Sequence, residues 1–223
     1  MEQIIYYNIR RGMLYIVFFF SFFSVVFVGC GKDKIELSPQ SQKECLELAI
    51  FEDPSNSPYC LPFAADSSYL MTQSYCSGSR RSHNSRFAYD FKMPFGTEII
   101  AARAGEVVEY RENFSDSNTL GGQENMVSLQ HNDGTISLYI HMMQNGVDVE
   151  LGEYVPKGGH LGWIGSSGTG FPHLHFQICE RSGRCSWPDQ EFTLPVNFRN
   201  AEGELDSIGG LKEGVVYKAG PCE

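Results

Sequence analysis

The sequence lacks an excess of basic residues. Among its 223 residues, 17 are Lys or Arg and 27 are Asp or Glu, which gives a formal net charge of −10. A protein that binds nucleic acid by neutralising its phosphates needs the opposite balance, so this class of protein is not expected. Long runs of Ala, Leu, Glu and Lys are also scarce, whereas 23 glycines and 10 prolines punctuate the chain. This composition is typical of a turn-rich β protein.

The first thirty residues predict export from the cytoplasm. Arg10 and Arg11 precede an almost unbroken apolar run, residues 13–28. This pattern is typical of a signal peptide, and the run is shorter than the about 20 residues that span a bilayer. It ends at Gly29 and Cys30, which resemble the bacterial lipobox with its lipidated cysteine, although Phe27 replaces the usual leucine. An uncleaved anchor and a signal cut elsewhere are the alternatives, and all three place the remaining chain outside the cytoplasm.

The rest of the chain divides into a polar segment and one β domain. We expect a signal peptide at residues 1–29, a tether at 30–55 and a domain at 56–223, with a helical turn only at 44–51. A hydrophobic content of 42% suffices for the core of one such domain. Its fold class is predicted as mostly β, a single domain built on antiparallel sheet with an open groove holding a metal site. Strands are predicted at residues 98–103, 106–111, 126–131, 135–142, 173–179 and 184–187.

The histidines indicate where the chemistry lies. His173 and His175 are two residues apart in an apolar segment, and alternate residues of a strand share a face. The two imidazoles should therefore point one way and Leu174 and Phe176 the other. Two imidazoles on one rigid face can form half of a zinc site, or one ligand beside a proton-handling group.

His83, Asp90 and His141 can complete such a site. Asp90 lies between Tyr89 and Phe91, an unusual place for a solvated carboxylate. A catalytic zinc needs three N or O ligands and one open position, which His83, Asp90 and one histidine of the pair would supply. His141 should project from the polar face that it shares with Ser137 and Tyr139, whereas a surface histidine on a strand is the alternative.

Together these motifs resemble the lysostaphin-type zinc metallopeptidases, which cut peptidoglycan peptides. The resemblance covers residues 61–218 and rests on these marks: His83 and Asp90, Gly96-Thr97, residues 101–108, His131-Asn132-Asp133-Gly134, Tyr139-Ile140-His141-Met142, Gly152-Glu153-Tyr154-Val155, and residues 168–176 with His173-Leu174-His175. Many members have three residues between the first histidine and the aspartate, and this chain has three more. We interpret the longer spacing as a change in the loop above the metal.

The resemblance implies a site and an activity. Zn²⁺ would be bound by His83, Asp90 and His175, whereas His141 and His173 would handle protons and stabilise the oxyanion. The chain would be an endopeptidase acting on peptidoglycan cross-link or stem peptides. It would be lipid-anchored through Cys30 at the cell envelope and would face the periplasm, from the outer membrane, or the exterior. No nucleic-acid partner is expected, and a regulatory envelope protein stays open.

Two alternatives to the enzyme stay open. One is a non-catalytic relative that binds peptidoglycan or activates an amidase. The other is a β domain with a structural, four-ligand zinc. Asn125 and Tyr75 are further candidates for contacting the substrate, whereas His131 is expected to be structural and His160 to lie on a surface loop.

The seven cysteines are odd in number, as expected if Cys30 carries lipid and six form disulfides. The best single pairing is Cys179–Cys185, across a predicted hairpin. The other four, Cys45, Cys60, Cys76 and Cys222, allow three connectivities, among which Cys60–Cys76 is favoured by its locality. A cysteine-rich zinc site is not expected, because the compartment is oxidising and no Cys-x-x-Cys occurs.

Overall fold

The computed structural model describes residues 39–77, 83, 86–180 and 192–222. The chain divides into two units, Met1–Glu36 and Leu37–Glu223, of which only the second contains described residues. The signal and lipobox prediction and the strand predicted at 184–187 lie outside them. No helix within the described residues is long and apolar enough to span a membrane.

The described residues form one short helix, one 3-10 turn and twelve strands. The helix is α1, Pro39–Glu47, and the 3-10 turn is Pro54–Asn56. The strands are β1 Ser68–Gln73, β2 Ala88–Lys92, β3 Glu98–Ile100, β4 Gly105–Arg111, β5 Met126–Gln130, β6 Ile136–Ile140, β7 Met142–Val147, β8 Tyr154–Val155, β9 His160–Ile164, β10 His173–Cys179, β11 Ala201–Glu202 and β12 Val216–Ala219.

The strands build two sheets in which every pairing is antiparallel. One sheet has nine strands in the order β11-β12-β1-β2-β10-β6-β5-β4-β8, and the other has three in the order β3-β9-β7. The predicted mostly β, antiparallel, single-domain fold is confirmed. The turn Asn132-Asp133-Gly134 joins β5 to β6, and the positive φ of Gly134 (85°) is the conformation that this turn requires.

The centre of the large sheet has two different faces. Leu174 and Phe176 of β10 belong to the main hydrophobic core, where the ring of Phe176 lies 5.2 Å from that of Tyr139. His173 and His175 lie on the opposite face because successive residues of a strand alternate. All seven residues of β10 are buried, so neighbouring groups cover both faces of this strand. The faces predicted for the His-Leu-His unit are confirmed.

The prediction for β6 is wrong in its choice of face. Tyr139 does not share a polar face with the site: it lies in the main core, and its hydroxyl accepts a hydrogen bond from the Ala102 amide (2.9 Å). Ile140 is the direct partner of His175 and therefore shares the site face. The strand also ends at Ile140 instead of Met142. A buried tyrosine with a satisfied hydroxyl behaves as an apolar residue, which hydropathy alternation alone does not reveal.

Two disulfides have both of their cysteines within the described residues. They join Cys45 to Cys76 and Cys60 to Cys222, with Cα–Cα distances of 5.7 and 5.6 Å. The expected Cys60–Cys76 pairing is therefore wrong, because closeness in sequence did not predict closeness in space. The predicted pairing of Cys179 with Cys185 involves a residue that lies outside the described residues.

Part of the segment predicted as a tether packs on the domain. The Cys45–Cys76 bond attaches α1 to the turn after β1. The ring of Phe51 lies 4.6 Å from that of Tyr75 and 6.4 Å from that of Phe87. These contacts extend the folded part of the chain upstream of residue 56.

Candidate metal centre

Asp90 and His175 face each other across the two central strands. They are direct partners in the pairing of β2 with β10, and direct partners project from the same face. Asp90 Oδ1 lies 3.0 Å from His175 Nδ1. Both residues are buried, at 8% and 4% exposure. The sheet itself therefore places one carboxylate and one imidazole side by side.

His83 enters from the segment between β1 and β2. Its Nε2 lies 3.3 Å from Asp90 Oδ1 and 3.3 Å from His175 Nδ1. Its Nδ1 donates to the Ser74 carbonyl (2.9 Å). The His83 carbonyl also accepts from the Arg86 amide (3.1 Å), which holds the backbone of His83 near the start of β2. These hydrogen bonds thus hold His83 beside Asp90 despite the long spacing between the two residues in the sequence.

The hydrogen bonds of the two histidines leave acceptor atoms facing one another. His175 Nε2 donates to Gln177 Oε1 (3.0 Å), so the lone pair of His175 is on Nδ1. His83 donates through Nδ1, so its lone pair is on Nε2. Together with Asp90 Oδ1, these two ring nitrogens form a cluster of three possible ligand atoms at mutual distances of 3.0 to 3.3 Å. The carboxylate charge and the two imidazole lone pairs repel one another unless a cation lies among these atoms.

The geometry and the chemistry of the three ligands fit zinc. A tetrahedral zinc with ligands at about 2.0–2.1 Å separates them by about 3.3 Å, close to the observed distances. Two imidazoles and one carboxylate are also a donor set of catalytic zinc sites, which keep a fourth position open. Among the described residues, His83, Asp90 and His175 are the one group of three that could hold a metal ion.

The electrostatics keep Asp90 charged. Burial alone would raise the pKa of this carboxyl, but the adjacent His83 and His175 outweigh burial and hold the pKa well below its usual value. Burial also lowers the pKa of His175. An ionised carboxylate beside a neutral imidazole is the protonation state that metal binding requires.

Gln73 connects two of the three candidate ligands. It is the partner of Asp90 in the pairing of β1 with β2. In the amide orientation that satisfies its surroundings, Gln73 donates to Asp90 Oδ2 (3.1 Å) and accepts from the His83 backbone amide (3.2 Å). This side chain therefore orients the carboxylate and the backbone of His83 together.

His141 reaches the site through an unusual backbone conformation. Straight alternation from Tyr139 would direct it into the core, but β6 ends at Ile140 and His141 has a φ of 70°. The ring then lies 4.4 Å from that of His173 and 6.2 Å from that of His175. Its Nδ1 donates to the Ser167 carbonyl (2.8 Å), which leaves the lone pair on Nε2. A positive φ is uncommon for a residue other than glycine, and such residues cluster at functional sites.

Burial, and then the charges of His173 and His175, lower the pKa of His141 to about 3. This differs from the near-neutral value expected of a proton-handling histidine from sequence. His141 is therefore a neutral imidazole at neutral pH, and its Nε2 can accept a proton.

His173 completes the group beside Asp90. It is 4% exposed, and its Nε2 lies 3.9 Å from Asp90 Oδ2. Its Nδ1 donates to the Phe171 carbonyl (3.2 Å), and the Phe171 ring stacks on the imidazole at 4.7 Å. All five residues predicted for the site, His83, Asp90, His141, His173 and His175, are thus brought together.

Asn125 and Tyr75 lie in positions unsuited to a substrate contact. Asn125 is fully buried, and its amide is fully used on the backbone of Phe114, donating to the carbonyl (2.7 Å) and accepting from the amide (2.9 Å). Tyr75 is buried among aromatic residues, and its hydroxyl donates to Asp206. Both side chains therefore support the scaffold.

The two remaining histidines lie outside the site. His131 is buried and its Nδ1 bonds to the Ala104 carbonyl (2.8 Å), in keeping with a structural role. His160 does not lie on a surface loop as expected: it begins β9 and bonds to Glu98 and Asp148, both at 2.8 Å.

The residues that sequence reasoning missed are those that orient the histidines. Gln177 could have been found, because it follows His175 by two positions and so shares its face. Gln73 and Ser74 gave no such signal, since their contact with the site depends on the pairing of β1 with β2. Ser167 acts through its carbonyl oxygen, which leaves no trace in residue type.

Comparisons with known proteins show which sequences and structures this chain resembles. A profile described as peptidase family M23 matches residues 84–186. Lysostaphin from Staphylococcus simulans is 39% identical over 93 residues, which are 41% of this chain and 17% of that protein. Lipoprotein NlpD from Yersinia enterocolitica is 35% identical over 83 residues, 37% of this chain and 77% of that protein.

Among solved structures, the catalytic domain of the antimicrobial peptidase lysostaphin from Staphylococcus simulans has a TM-score of 0.38 and 29% identity. The match covers 51% of this chain and 79% of that chain. The matched part of this chain thus spans less than a fifth of full-length lysostaphin.

Proposed function

The chain belongs to peptidase family M23, and on this premise we propose that it is a zinc endopeptidase that hydrolyses peptide bonds of bacterial peptidoglycan. The observation that carries the proposal is the cluster of three possible ligand atoms, His83 Nε2, Asp90 Oδ1 and His175 Nδ1, which lie 3.0 to 3.3 Å from one another. Two further buried imidazoles, those of His141 and His173, lie beside this group.

Each residue of the site has a distinct role in the proposal. His83, Asp90 and His175 would hold zinc, which supplies a Lewis acid and a water of lowered pKa. His141 accepts a proton at Nε2, because its Nδ1–H is committed to the Ser167 carbonyl. His173, whose ring is 4.4 Å from that of His141, bonds to the Phe171 carbonyl through Nδ1, so its Nε2 is the atom that would exchange a proton in the site. No serine or cysteine nucleophile is required.

We also place the protein at the cell envelope. The Gly29-Cys30 pair and the likeness to a protein named as a lipoprotein, NlpD, support a lipid anchor at Cys30. Peptidoglycan as the substrate is supported by the likeness to lysostaphin, and also to a protein named as a glycyl-glycine endopeptidase.

The alternative is a non-catalytic relative that binds peptidoglycan or activates a separate amidase. The likeness to NlpD, a protein named as a lipoprotein and not as a peptidase, keeps this alternative in view. We favour the enzyme because the site contains three residues that can bind zinc and, in addition, two histidines that are not needed as ligands. A protein that only binds peptidoglycan has no need for buried imidazoles with free lone pairs.

The test separates metal binding from catalysis. Full-length protein and single variants are loaded with zinc, the bound metal is measured by mass spectrometry, and digestion of isolated sacculi is followed. We expect Asp90→Ala and His175→Ala to lose zinc and cleavage, and His141→Ala to keep zinc but lose cleavage. His160→Ala is the matched control at a histidine outside the site and should keep both.

Two results would contradict the proposal. If no zinc-dependent cleavage occurs with sacculi of several cell-wall types, the protein is not this enzyme. If His173→Ala loses zinc whereas His175→Ala retains it, the assignment within the His-Leu-His pair is wrong.

A further inference from the structure

Lys92 lies on the site face of the sheet, two residues after Asp90. Alternate residues of a strand share a face and lie about 7 Å apart, so Lys92 projects beside the candidate metal ligands. It is also the direct partner of His173 on β10. Asp90 is buried whereas Lys92, the last residue of β2, is exposed. The site face therefore opens to solvent where this ammonium group stands.

Lys92 has no carboxylate partner among the described residues. Other lysines there are paired: Lys218 with Asp66 at 2.8 Å, and Lys212 with Glu204 at 2.7 Å. The two cross-strand neighbours of Lys92 are Leu70 and His173, and neither is an anion. Within the described part of this chain of net charge −10, no anion thus neutralises the exposed lysine beside the site.

An exposed aromatic ring also contacts His173. Phe171 stacks on that imidazole, with ring centroids 4.7 Å apart, and 60% of the residue is exposed. His173 is thus flanked by an ammonium group on the neighbouring strand and by an apolar ring. This combination suits a substrate residue that has both a carboxylate and an aliphatic chain.

We propose that Lys92 binds a carboxylate adjacent to the scissile amide and thereby selects diaminopimelate-containing cross-links over oligoglycine bridges. The inference rests on the proposed endopeptidase function. In a D-alanyl–diaminopimelate cross-link, the carbon bonded to the scissile nitrogen also bears a free carboxylate. A glycine bridge has no carboxylate at that place. The flexible stem of lysine lets its ammonium reach such a group above the sheet.

The test uses two cross-linked muropeptide dimers that differ in one group. One carries the free carboxylate beside the scissile amide, and the other carries a carboxamide there. We expect zinc-loaded, full-length protein to cleave the acid with a kcat/KM at least roughly tenfold higher, as for the loss of one hydrogen bond to a charged group. Equal kcat/KM values for acid and amide would overturn the proposal.

Variants assign the preference to Lys92. In Lys92→Met the ratio of acid to amide kcat/KM should fall to about one, and in Lys92→Arg the acid should stay preferred. Lys218→Met, at a half-buried lysine two strands away, is the control and should keep the wild-type ratio. An unchanged ratio in Lys92→Met would also overturn the proposal.

A binding measurement separates failure of the subsite from failure of the enzyme. Calorimetry with zinc-loaded His141→Ala protein gives the affinity for both dimers without hydrolysis. In one outcome, the dimer with the free carboxylate binds more tightly than the carboxamide only when Lys92 is present, while the wild type cleaves neither dimer. This result would support the subsite and contradict the endopeptidase function. If wild type cleaves both dimers but binding shows no preference for acid, the endopeptidase stands and the subsite falls.

Discussion

At the scale of single residues, the site depends on which ring nitrogen of each histidine carries the proton. Four histidines each direct one ring nitrogen to an oxygen outside the site. The acceptors are the carbonyls of Ser74, Phe171 and Ser167 and the side chain of Gln177. Three of these acceptors are backbone atoms, so the tautomers are determined by the fold. Gln177 is the exception, and its contribution can be tested by substitution.

We expect Gln177→Leu to weaken zinc binding by roughly 10- to 100-fold, the usual cost of losing an outer partner of a metal-bound histidine. The reason is that His175 Nε2 would lose its acceptor, and its tautomer and ring orientation would no longer be fixed. Competition with a chromophoric chelator measures the affinity. Gln177→Glu keeps an acceptor and should retain most of the affinity. Equal affinities for wild type and Gln177→Leu would show that Gln177 does not orient the ligand.

The sequence predicted most of the residues of this site but few of the groups that form hydrogen bonds with them. His83, Asp90, His173 and His175 could be chosen from sequence because spacing and a family resemblance indicate them. The partners Ser74 and Ser167 could not, since backbone carbonyls carry no residue-specific signal. Gln73 depended on a register shift between β1 and β2, which no local pattern reveals.

At the scale of elements, the break between β6 and β7 is what delivers His141. The strand period would turn this residue into the core, and the positive φ reverses it. Hydrogen bonds stabilise the break: the Gly165 amide donates to the His141 carbonyl (2.9 Å), and the Met142 amide donates to the Asn125 carbonyl (3.1 Å). Sequence periodicity predicted one continuous strand over 135–142, because a backbone reversal maintained by distant segments has no local signature.

Gly165→Ala should disturb this break. A β carbon at Gly165 would contact the Asp116 carboxylate and lie 2.5 Å from Met143 Cα, so the backbone must move. We expect a loss of about 1–3 kcal/mol in the free energy of unfolding, typical of overpacking, together with impaired cleavage. Urea denaturation measures the first. Gly121→Ala, where the nearest atom is 4.0 Å away, is the control and should change little. Equal stability of both variants would contradict the tight packing.

The small sheet has a pH-sensitive contact between its strands. His160 of β9 bonds through its two ring nitrogens to Glu98 of β3 and to Asp148. Burial alone would lower the pKa of His160, but the bonds to Asp148 and Glu98 outweigh burial and raise it. Below the ordinary histidine value of about 6.5 this stabilisation is fully present. It is lost as the pH rises through the raised value of the folded state.

We therefore expect the stability difference between wild type and His160→Gln to shrink as the pH rises from about 6 to alkaline values. The contribution should be under about 1 kcal/mol, because all three side chains are a third or more exposed. Thermal unfolding of the two proteins across this range measures the difference. A difference that grows with pH would contradict the direction of the shift.

At the scale of the whole molecule, the two disulfides that join described cysteines secure different parts of the chain. Cys60–Cys222 joins residues 162 positions apart and connects the two ends of the described domain. Cys45–Cys76 joins residues 31 apart and attaches α1 to the turn that leads towards His83. The pairing of these four cysteines was not predictable from sequence, because it depends on how distant segments such as α1 pack against the domain.

The two bonds should differ in their effects. Removing Cys60–Cys222 with paired alanines should cost about 1.5 kcal/mol more in the free energy of unfolding than removing Cys45–Cys76, because its loop is longer. Removing Cys45–Cys76 should weaken zinc binding more, since it releases the segment before His83. Denaturant titration and chelator competition on both double variants check this crossed pattern. If loss of the same disulfide had the larger effect on both stability and zinc affinity, the prediction would be contradicted.

The central claim is that His83, Asp90 and His175 hold a zinc that serves peptide hydrolysis with the help of His141. The most direct measurement is the mass of the products when zinc-loaded, full-length protein digests peptidoglycan sacculi in ¹⁸O-labelled water. We expect wild type to convert peptide cross-linked dimers to monomers with ¹⁸O in one new carboxyl group and to leave the glycan intact. His141→Ala, which should keep its zinc, should leave the dimers uncut. Intact dimers with the zinc-loaded wild type, or equal cleavage by His141→Ala, would contradict the claim.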